Sequence, residues 1–100
     1  MNYRNKDLLR LAYELDCTGR LEGVCEGGKG EPAHSNQALH GKGMSLKAHD
    51  CFFASLCRAC HRELDQGKTM DKAWRAIFWN QAHVRTMIQL WERGLIQVKP

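Results

Sequence analysis

The sequence predicts a small α+β fold stabilised by a bound metal ion. With 100 residues, the chain buries a smaller share of its surface than a larger domain would, so its core gains from a cross-link. Five cysteines are present, and two of them have the Cys57-x-x-Cys60 spacing typical of zinc ligands. Helix-like and strand-like apolar patterns follow one another without an internal repeat. We therefore expect one metal-stabilised unit over residues 1–100, ordered helix, loop, hairpin, helix, helix.

The first element is a short amphipathic helix over residues 6–15. Its apolar residues recur at i, i+3, i+4 and i+7, which places them on one helical face: Leu8, Leu11, Ala12 and Leu15. Five glycines between residues 17 and 32 then predict tight turns.

A β-hairpin is predicted to follow the turns. The first strand lies around Ala33–Ser35, a polar loop covers residues 37–47, and the second strand covers the apolar stretch Cys51–Leu56.

Two helices complete the chain. The first covers Arg58–Gln66 and ends at Gly67, and the second, over about residues 70–93, begins with Thr69 as N-cap. We expect this long helix to pack on the rest through one apolar stripe: Met70, Ile77, Val84, Ile88, Trp91 and Leu95. Trp79 falls on the opposite side, so the pattern assigns it to a contact with a partner, such as a second copy, or with the N-terminal helix.

Four cysteines form the predicted structural zinc site: Cys17, Cys25, Cys57 and Cys60. A zinc site of this kind needs four soft ligands in a tetrahedron, and two distant cysteine pairs can hold a loop-rich core together. Seven residues separate Cys17 from Cys25, which is longer than the usual spacing of a pair. The remaining Cys51 is predicted to be a buried apolar residue, with a role as the fourth ligand as the alternative.

A second group of residues suggests hydrolytic chemistry. His61 and Asp65 are four apart on a helix, so both side chains can reach one divalent ion. His34, on the hairpin, would be the general base that deprotonates an attacking water. Alternatively, His61 completes the zinc site or caps the helix, and Asp65 pairs with a neighbouring basic residue.

The order of these motifs resembles the HNH branch of the His-Me finger nucleases, and more narrowly a group of small prophage-encoded proteins assigned as nucleases. The resemblance rests on Gly23-Val24-Cys25, Ala33-His34, an aspartate before an apolar strand, Cys57-x-x-Cys60-His61 and Trp91–Ile96. It implies a ββα-metal finger over about residues 17–66, in which a hairpin and a helix hold one catalytic ion.

The resemblance also implies roles for individual residues. His34 would be the general base, His61 the metal ligand on the helix, and Asp50 the middle residue of the motif, where asparagine is usual. Ala33 departs from the family as well, because many members have a metal ligand there. Asp65 could supply the missing ligand. Asp50 could orient the His34 ring, a role that His49 could equally take.

DNA is the expected partner and substrate, with Mg²⁺ or Mn²⁺ as the catalytic ion. The net charge of +4 fits an anionic partner without identifying one. Four basic residues would contact phosphates around the catalytic ion: Lys42, Lys47, Arg58 and Arg62. DNA and RNA are not distinguished. The main alternative is a non-catalytic, zinc-stabilised module that binds nucleic acid or a protein partner.

The N-terminal residues Met1-Asn2-Tyr3-Arg4-Asn5-Lys6 do not lead into an apolar run, so neither a secretory signal nor a membrane span is predicted. Reduced cysteines are expected in such a chain. By resemblance, the expected location is the cytoplasm of a bacterial host.

Overall fold

The computed structural model describes residues 2–99 and confirms the α+β prediction. Three helices surround a two-stranded antiparallel sheet: α1 (Lys6–Arg10), β1 (Glu31–His34), β2 (Phe53–Leu56), α2 (Arg58–Gln66) and α3 (Lys72–Glu92). Two short 3₁₀ helices, Leu11–Glu14 and Ala38–His40, lie between these elements. Within residues 2–99, no helix combines the length and apolarity needed to cross a membrane.

The predicted N-terminal helix is present but changes type halfway. The Asn5 side chain accepts a hydrogen bond from the Leu8 N–H (3.0 Å), which caps α1, and the chain tightens into a 3₁₀ turn from Leu11 onward. Such a tightening is frequent at helix C-termini. Its apolar face is buried as predicted, with Ala12 and Leu15 fully inaccessible to solvent.

The two strands pair from Glu31 opposite Leu56 to His34 opposite Phe53. The first strand begins two residues earlier than predicted and the second begins two residues later, so a long connection, residues 35–52, joins them. All four residues of β2 are buried, which makes it the central element of the core. Gly30, directly before β1, lies so close to β2 that a Cβ at this position would collide with the Ser55 side chain.

The helix that follows β2 has the predicted bounds. Cys57 is its N-cap, and Gly67 follows its last residue. The long helix α3, by contrast, begins later than predicted. Its N-cap is Asp71, whose carboxylate accepts from the Trp74 N–H at 2.8 Å. Thr69, the predicted cap, instead donates its hydroxyl to Glu63 at 2.7 Å.

The predicted packing face of α3 is wrong. The buried face consists of Phe78, Trp79, Ala82, Thr86 and Leu90. Most of the predicted apolar stripe is exposed, including Ile77 (45%), Val84 (53%), Ile88 (51%) and Trp91 (52%). The helix is apolar on two sides, and the core side carries an alanine and a threonine that a search for large apolar residues overlooks.

Trp79 is therefore part of the core and not a contact for an external partner. It is 2% exposed, and its indole N–H donates to the Ala33 carbonyl of β1 at 3.0 Å. The prediction of an oligomer through a Trp79 face is wrong for the same reason, since that face already packs on the sheet.

Candidate functional site

The four predicted zinc ligands lie together. The sulfur atoms of Cys17, Cys25, Cys57 and Cys60 are all within 4.8 Å of one another, and those of Cys25 and Cys57 are 3.9 Å apart. Four thiolates bound tetrahedrally to Zn²⁺ at about 2.3 Å stand about 3.8 Å from each other, so the cluster needs only a small contraction. These residues can hold a structural metal ion such as zinc.

Local backbone structure brings the two cysteine pairs together. Cys57 and Cys60 form the first turn of α2, and the Cys60 N–H points at the Cys57 sulfur (3.5 Å). The loop carrying Cys25 turns at Gly27 and Gly28, both with φ of +73°, a conformation that favours glycine. The Gly27 N–H donates to the Cys25 sulfur at 3.3 Å.

The thiols of the cluster differ in acidity. Burial raises the pKa of Cys57, but N–H groups of Cys60 and Glu26 outweigh it and lower that pKa to about 7. Burial raises the pKa of Cys60, and the neighbouring sulfurs of Cys57 and Cys17 raise it further. One thiolate thus forms easily, whereas a set of thiolates in one place requires a cation to balance their charge.

Cys51 lies outside the cluster and is exposed, so the prediction that it is buried is wrong. Because β2 begins only at Phe53, Cys51 lies in the turn before the strand instead of within it. Its alternative role as the fourth zinc ligand is excluded by the same placement, since the other four sulfurs form the group.

His34 lies at the end of β1 and is held by Asp50. Its Nε2 atom is 2.8 Å from the Asp50 Oδ1, and the His34 side chain is 17% exposed. The Asp50 carboxylate is 3% exposed and also accepts from the Asn5 N–H (2.6 Å) and from Arg4 (3.1 Å). His49, the alternative partner of His34, instead accepts from the Tyr3 N–H at 2.9 Å.

The ionised state of Asp50 determines which nitrogen of His34 carries the hydrogen. Burial would raise the pKa of Asp50, but the hydrogen bonds from His34 and the Asn5 N–H, together with the charges of His34 and Arg4, lower it. An ionised carboxylate only accepts hydrogen bonds, so Nε2 of His34 is the donor. In the uncharged ring, the lone pair is then on Nδ1.

His61 lies between two carboxylates. Its Nδ1 atom is 2.8 Å from the Glu31 Oε2, and its Nε2 atom is 3.3 Å from the Asp65 Oδ2. The hydrogen bond to Asp65 raises the pKa of His61, and that to Glu31 adds to the rise although burial opposes it. Burial would raise the pKa of Asp65, but hydrogen bonds from His61 and Asn36 lower it.

His61 and Asp65 lie close enough together that one divalent ion could contact both side chains. An octahedral ion with adjacent ligands at about 2.1 Å holds them about 3 Å apart, close to the 3.3 Å between the two atoms. Asn36 donates to the other oxygen of Asp65 at 2.9 Å, which orients the carboxylate.

Glu31 is a residue that sequence reasoning missed. It starts β1, three residues before His34, and its carboxylate contacts both His61 and Arg58 (3.4 Å). The only sign of Glu31 in the sequence was an acidic residue close to a predicted strand. Its contacts with His61 and Arg58 depend on how β1 lies against α2.

His34, His61 and Asp65 line one cleft of about 230 Å³, together with Lys42 and Lys47. A second cleft of similar size adjoins it and includes Arg58 and Arg62 beside His61. A larger groove of about 700 Å³ extends along α3. It shares three lining residues with the first cleft: Asn36, Lys42 and Asp65. The candidate catalytic and basic residues thus occupy one continuous surface.

Aromatic rings of the long connection, His40 and Phe52, pack against Trp79 and His83 of α3. His40 stacks on Phe52 with a centroid distance of 4.3 Å, and Trp79 stacks on His83 at 4.8 Å. The Ser35 hydroxyl and His40 Nδ1 are 2.6 Å apart, and His83 Nδ1–H donates to the Phe53 carbonyl at 2.7 Å. Both histidines are structural.

No protein-family model matches the chain. No curated protein matches it. Among solved structures, the chain is similar to one described as "a putative bacteriophage protein from Escherichia coli str. K-12 substr. MG1655", with a TM-score of 0.62 and 24% sequence identity. The match covers 85% of this chain and 96% of that chain. At this identity the likeness shows a shared fold.

Proposed function

We propose that the chain is a metal-dependent endonuclease of the HNH type that hydrolyses DNA phosphodiester bonds. The observation that carries the proposal is a single cleft lined by His34, His61 and Asp65. Asp50 holds the His34 ring, and His61 lies beside Asp65. A base and a metal-binding pair within one small cleft are what the hydrolysis of a phosphodiester requires.

His34 would act as the general base through Nδ1. Asp50 holds the ring by its Nε2–H, and Arg4 and the Asn5 N–H hold Asp50 in turn. As water attacks the phosphorus, Nδ1 takes its proton, and the buried carboxylate stabilises the imidazolium that forms. Asp50 is thus a positioning residue, which explains how an aspartate can serve where the resembling family usually has asparagine.

Mg²⁺ or Mn²⁺, when held by His61 Nε2 and Asp65, would neutralise phosphate charge and stabilise the leaving 3′ oxygen. To act as a ligand, His61 must carry its proton on Nδ1. The Glu31 Oε2 atom, 2.8 Å from Nδ1, would accept a hydrogen bond from this N–H and fix the ring orientation, as outer carboxylates do for metal-binding histidines.

The basic residues around the cleft favour a polyanion as substrate. Lys42 and Lys47 border the cleft, and Arg58 and Arg62 border its neighbour. Contacts to phosphates supply affinity without sequence preference and weaken as salt rises. The role would be in phage or prophage DNA processing in the bacterial cytoplasm, and the fold that the chain shares with a protein described as a bacteriophage protein supports the phage association.

The test is nicking of supercoiled plasmid in the presence of Mg²⁺ or Mn²⁺. His34→Gln should abolish nicking because its amide can still donate to Asp50 but cannot act as the base. The matched control is His49→Gln, which lies outside the cleft, can still accept the Tyr3 N–H and should cut like the wild type. Zinc content and circular dichroism should be unchanged in both variants. Equal nicking by wild type and His34→Gln would refute the assignment.

The second candidate is a non-catalytic, zinc-stabilised module that binds nucleic acid or a protein partner. Two observations favour it: Ala33 offers no metal ligand, and both His61 nitrogens already contact carboxylates. A wild-type protein that binds DNA in a salt-dependent manner and nicks no plasmid with any divalent ion would support this alternative.

A further inference from the structure

One face of α3 is apolar, exposed and free of charge. It consists of six residues, which we call the outer face: Trp74, Ile77, Gln81, Val84, Ile88 and Trp91. The exposed fractions of its five apolar members range from 45% for Ile77 to 60% for Trp74. Successive members are separated by 3, 4, 3, 4 and 3 residues, which is the spacing of the contact seam between two paired helices.

No other segment of residues 2–99 buries the outer face. The opposite side of α3, which includes Trp79 and Thr86, already packs on the sheet. The five half-exposed side chains present on the order of 400 Å² of apolar surface, since one fully exposed aromatic residue offers 150–250 Å². That is within the range of the largest apolar patch on a typical monomer, and patches of this size are often functional.

The outer face is complementary to itself. Read from either end, its six members are a tryptophan, an isoleucine, the central Gln81 and Val84, and then an isoleucine and a tryptophan. An antiparallel helix pair with a twofold axis between Gln81 and Val84 therefore places Trp74 against Trp91 of the second copy. The same pairing places Ile77 against Ile88 of the second copy. Twofold interfaces have this reciprocal form.

We propose that the outer face is the interface of an antiparallel homodimer, with a second copy of this chain as its occupant. Two such faces contribute on the order of 800 Å² of apolar surface, and the polar residues that flank them add to the buried area, which places the contact at the lower end of specific interfaces. A depression of about 350 Å³ borders the face at Gln81 and Val84, and Asn80 and the flanking Arg85 complete its lining. Two copies of Gln81 flank the axis there, and a polar residue within an apolar seam fixes its register.

The dimer leaves the candidate catalytic surface open. None of the six outer-face residues lines the cleft of His34 and His61 or the two cavities that adjoin it. The proposal is therefore independent of the proposed nuclease activity, and each dimer would carry two clefts.

Sedimentation of the zinc-loaded full chain tests the proposal. The wild type should be a dimer, and Val84→Glu and Ile88→Glu should each be monomers with unchanged circular dichroism, because both residues are exposed and a charge in the seam opposes pairing. The control Met44→Glu, at a residue 98% exposed in the long connection, should remain a dimer. A wild type that is monomeric up to about 1 mM, or a dimer that Val84→Glu and Ile88→Glu leave intact, would overturn the proposal.

Cross-linking tests the orientation. In a Cys51→Ser background, which removes the exposed cysteine, Ile77→Cys and Ile88→Cys chains are mixed and treated with a short thiol cross-linker. Antiparallel pairing should link the two variants to each other and neither to itself. Efficient linking of Ile77→Cys to a second Ile77→Cys chain would overturn the antiparallel arrangement.

Discussion

Asp50 connects three parts of the chain through a single buried carboxylate. Its oxygens receive the His34 ring at the end of β1, the Asn5 N–H at the start of α1 and the Arg4 guanidinium. The Asp50 N–H in turn donates to the Tyr3 carbonyl at 2.9 Å. One residue therefore orients the candidate base and attaches the N-terminal segment to the long connection.

Asp50→Asn should lower the free energy of unfolding by about 2–4 kcal/mol, because the amide replaces one acceptor with a donor and leaves Arg4 without its buried countercharge. Urea unfolding of the zinc-loaded protein measures the change. The matched control is Asp7→Asn, whose side chain is 86% exposed and which should change stability by no more than about 0.5 kcal/mol. Equal stabilities of Asp50→Asn and wild type would show that the carboxylate network contributes nothing.

The stabilisation by Asp50 should depend on pH with a definite sign. The folded-state pKa of Asp50 lies below its ordinary value because hydrogen bonds from His34 and Asn5 outweigh burial, so the folded state favours the ionised form. The contribution is complete above the unfolded pKa of about 3.9 and is lost as the pH falls through the folded pKa. The stability difference between wild type and Asp50→Asn should shrink as the pH falls below about 4. Only pH values at which both proteins retain one zinc are compared, and a difference that grows with acid would contradict this account.

At the scale of elements, α3 shows where apolar periodicity fails. The helix has two apolar faces, and the one with more large aliphatic residues is the exposed one. The buried face contains Trp79 and Thr86, whose polar atoms are satisfied by the sheet and by the helix itself. The sheet residues among these partners are distant in the sequence, so no local pattern could show that Trp79 and Thr86 are buried.

Thr86 holds α3 against β2. Its hydroxyl accepts from the Ser55 N–H (3.1 Å), donates to the Ala82 carbonyl (2.8 Å) and lies 3.0 Å from the Thr18 hydroxyl. Thr86→Val keeps the shape but leaves the Ser55 N–H buried and unpaired, which should cost about 1–3 kcal/mol of folding free energy. Thermal unfolding compares it with Thr69→Val, which also loses a hydroxyl hydrogen bond, to Glu63, but at an exposed position where water replaces it, so that stability should change by about 0.5 kcal/mol or less. Equal losses in the two variants would show that this hydrogen bond does not hold the helix.

At the scale of the whole molecule, the spacing of the metal-binding residues in the sequence predicted the candidate site better than the apolar patterns predicted where helices and strands begin. Local signals sufficed for Cys57 and Cys60, and for the position of His61 one residue after them. The contacts of Asp50 with Arg4 and Asn5, and of His61 with Glu31, join segments about 30 or more residues apart. Such contacts depend on how loops and strands pack, which no local pattern specifies.

The cysteine cluster brings the glycine-containing loop to the start of α2, and a metal ion bound there would cross-link the two segments. Cys57→Ser should lose the zinc and unfold, since it removes one of the four ligands, and binding of a structural zinc supplies about 10 kcal/mol or more of folding free energy. Cys51→Ser is the matched control: its sulfur lies outside the cluster, so it should retain one zinc per chain and wild-type circular dichroism. Elemental analysis and unfolding with and without a strong chelator measure both effects. Cys57→Ser that folds normally without bound metal would show that hydrophobic burial alone holds the two segments together.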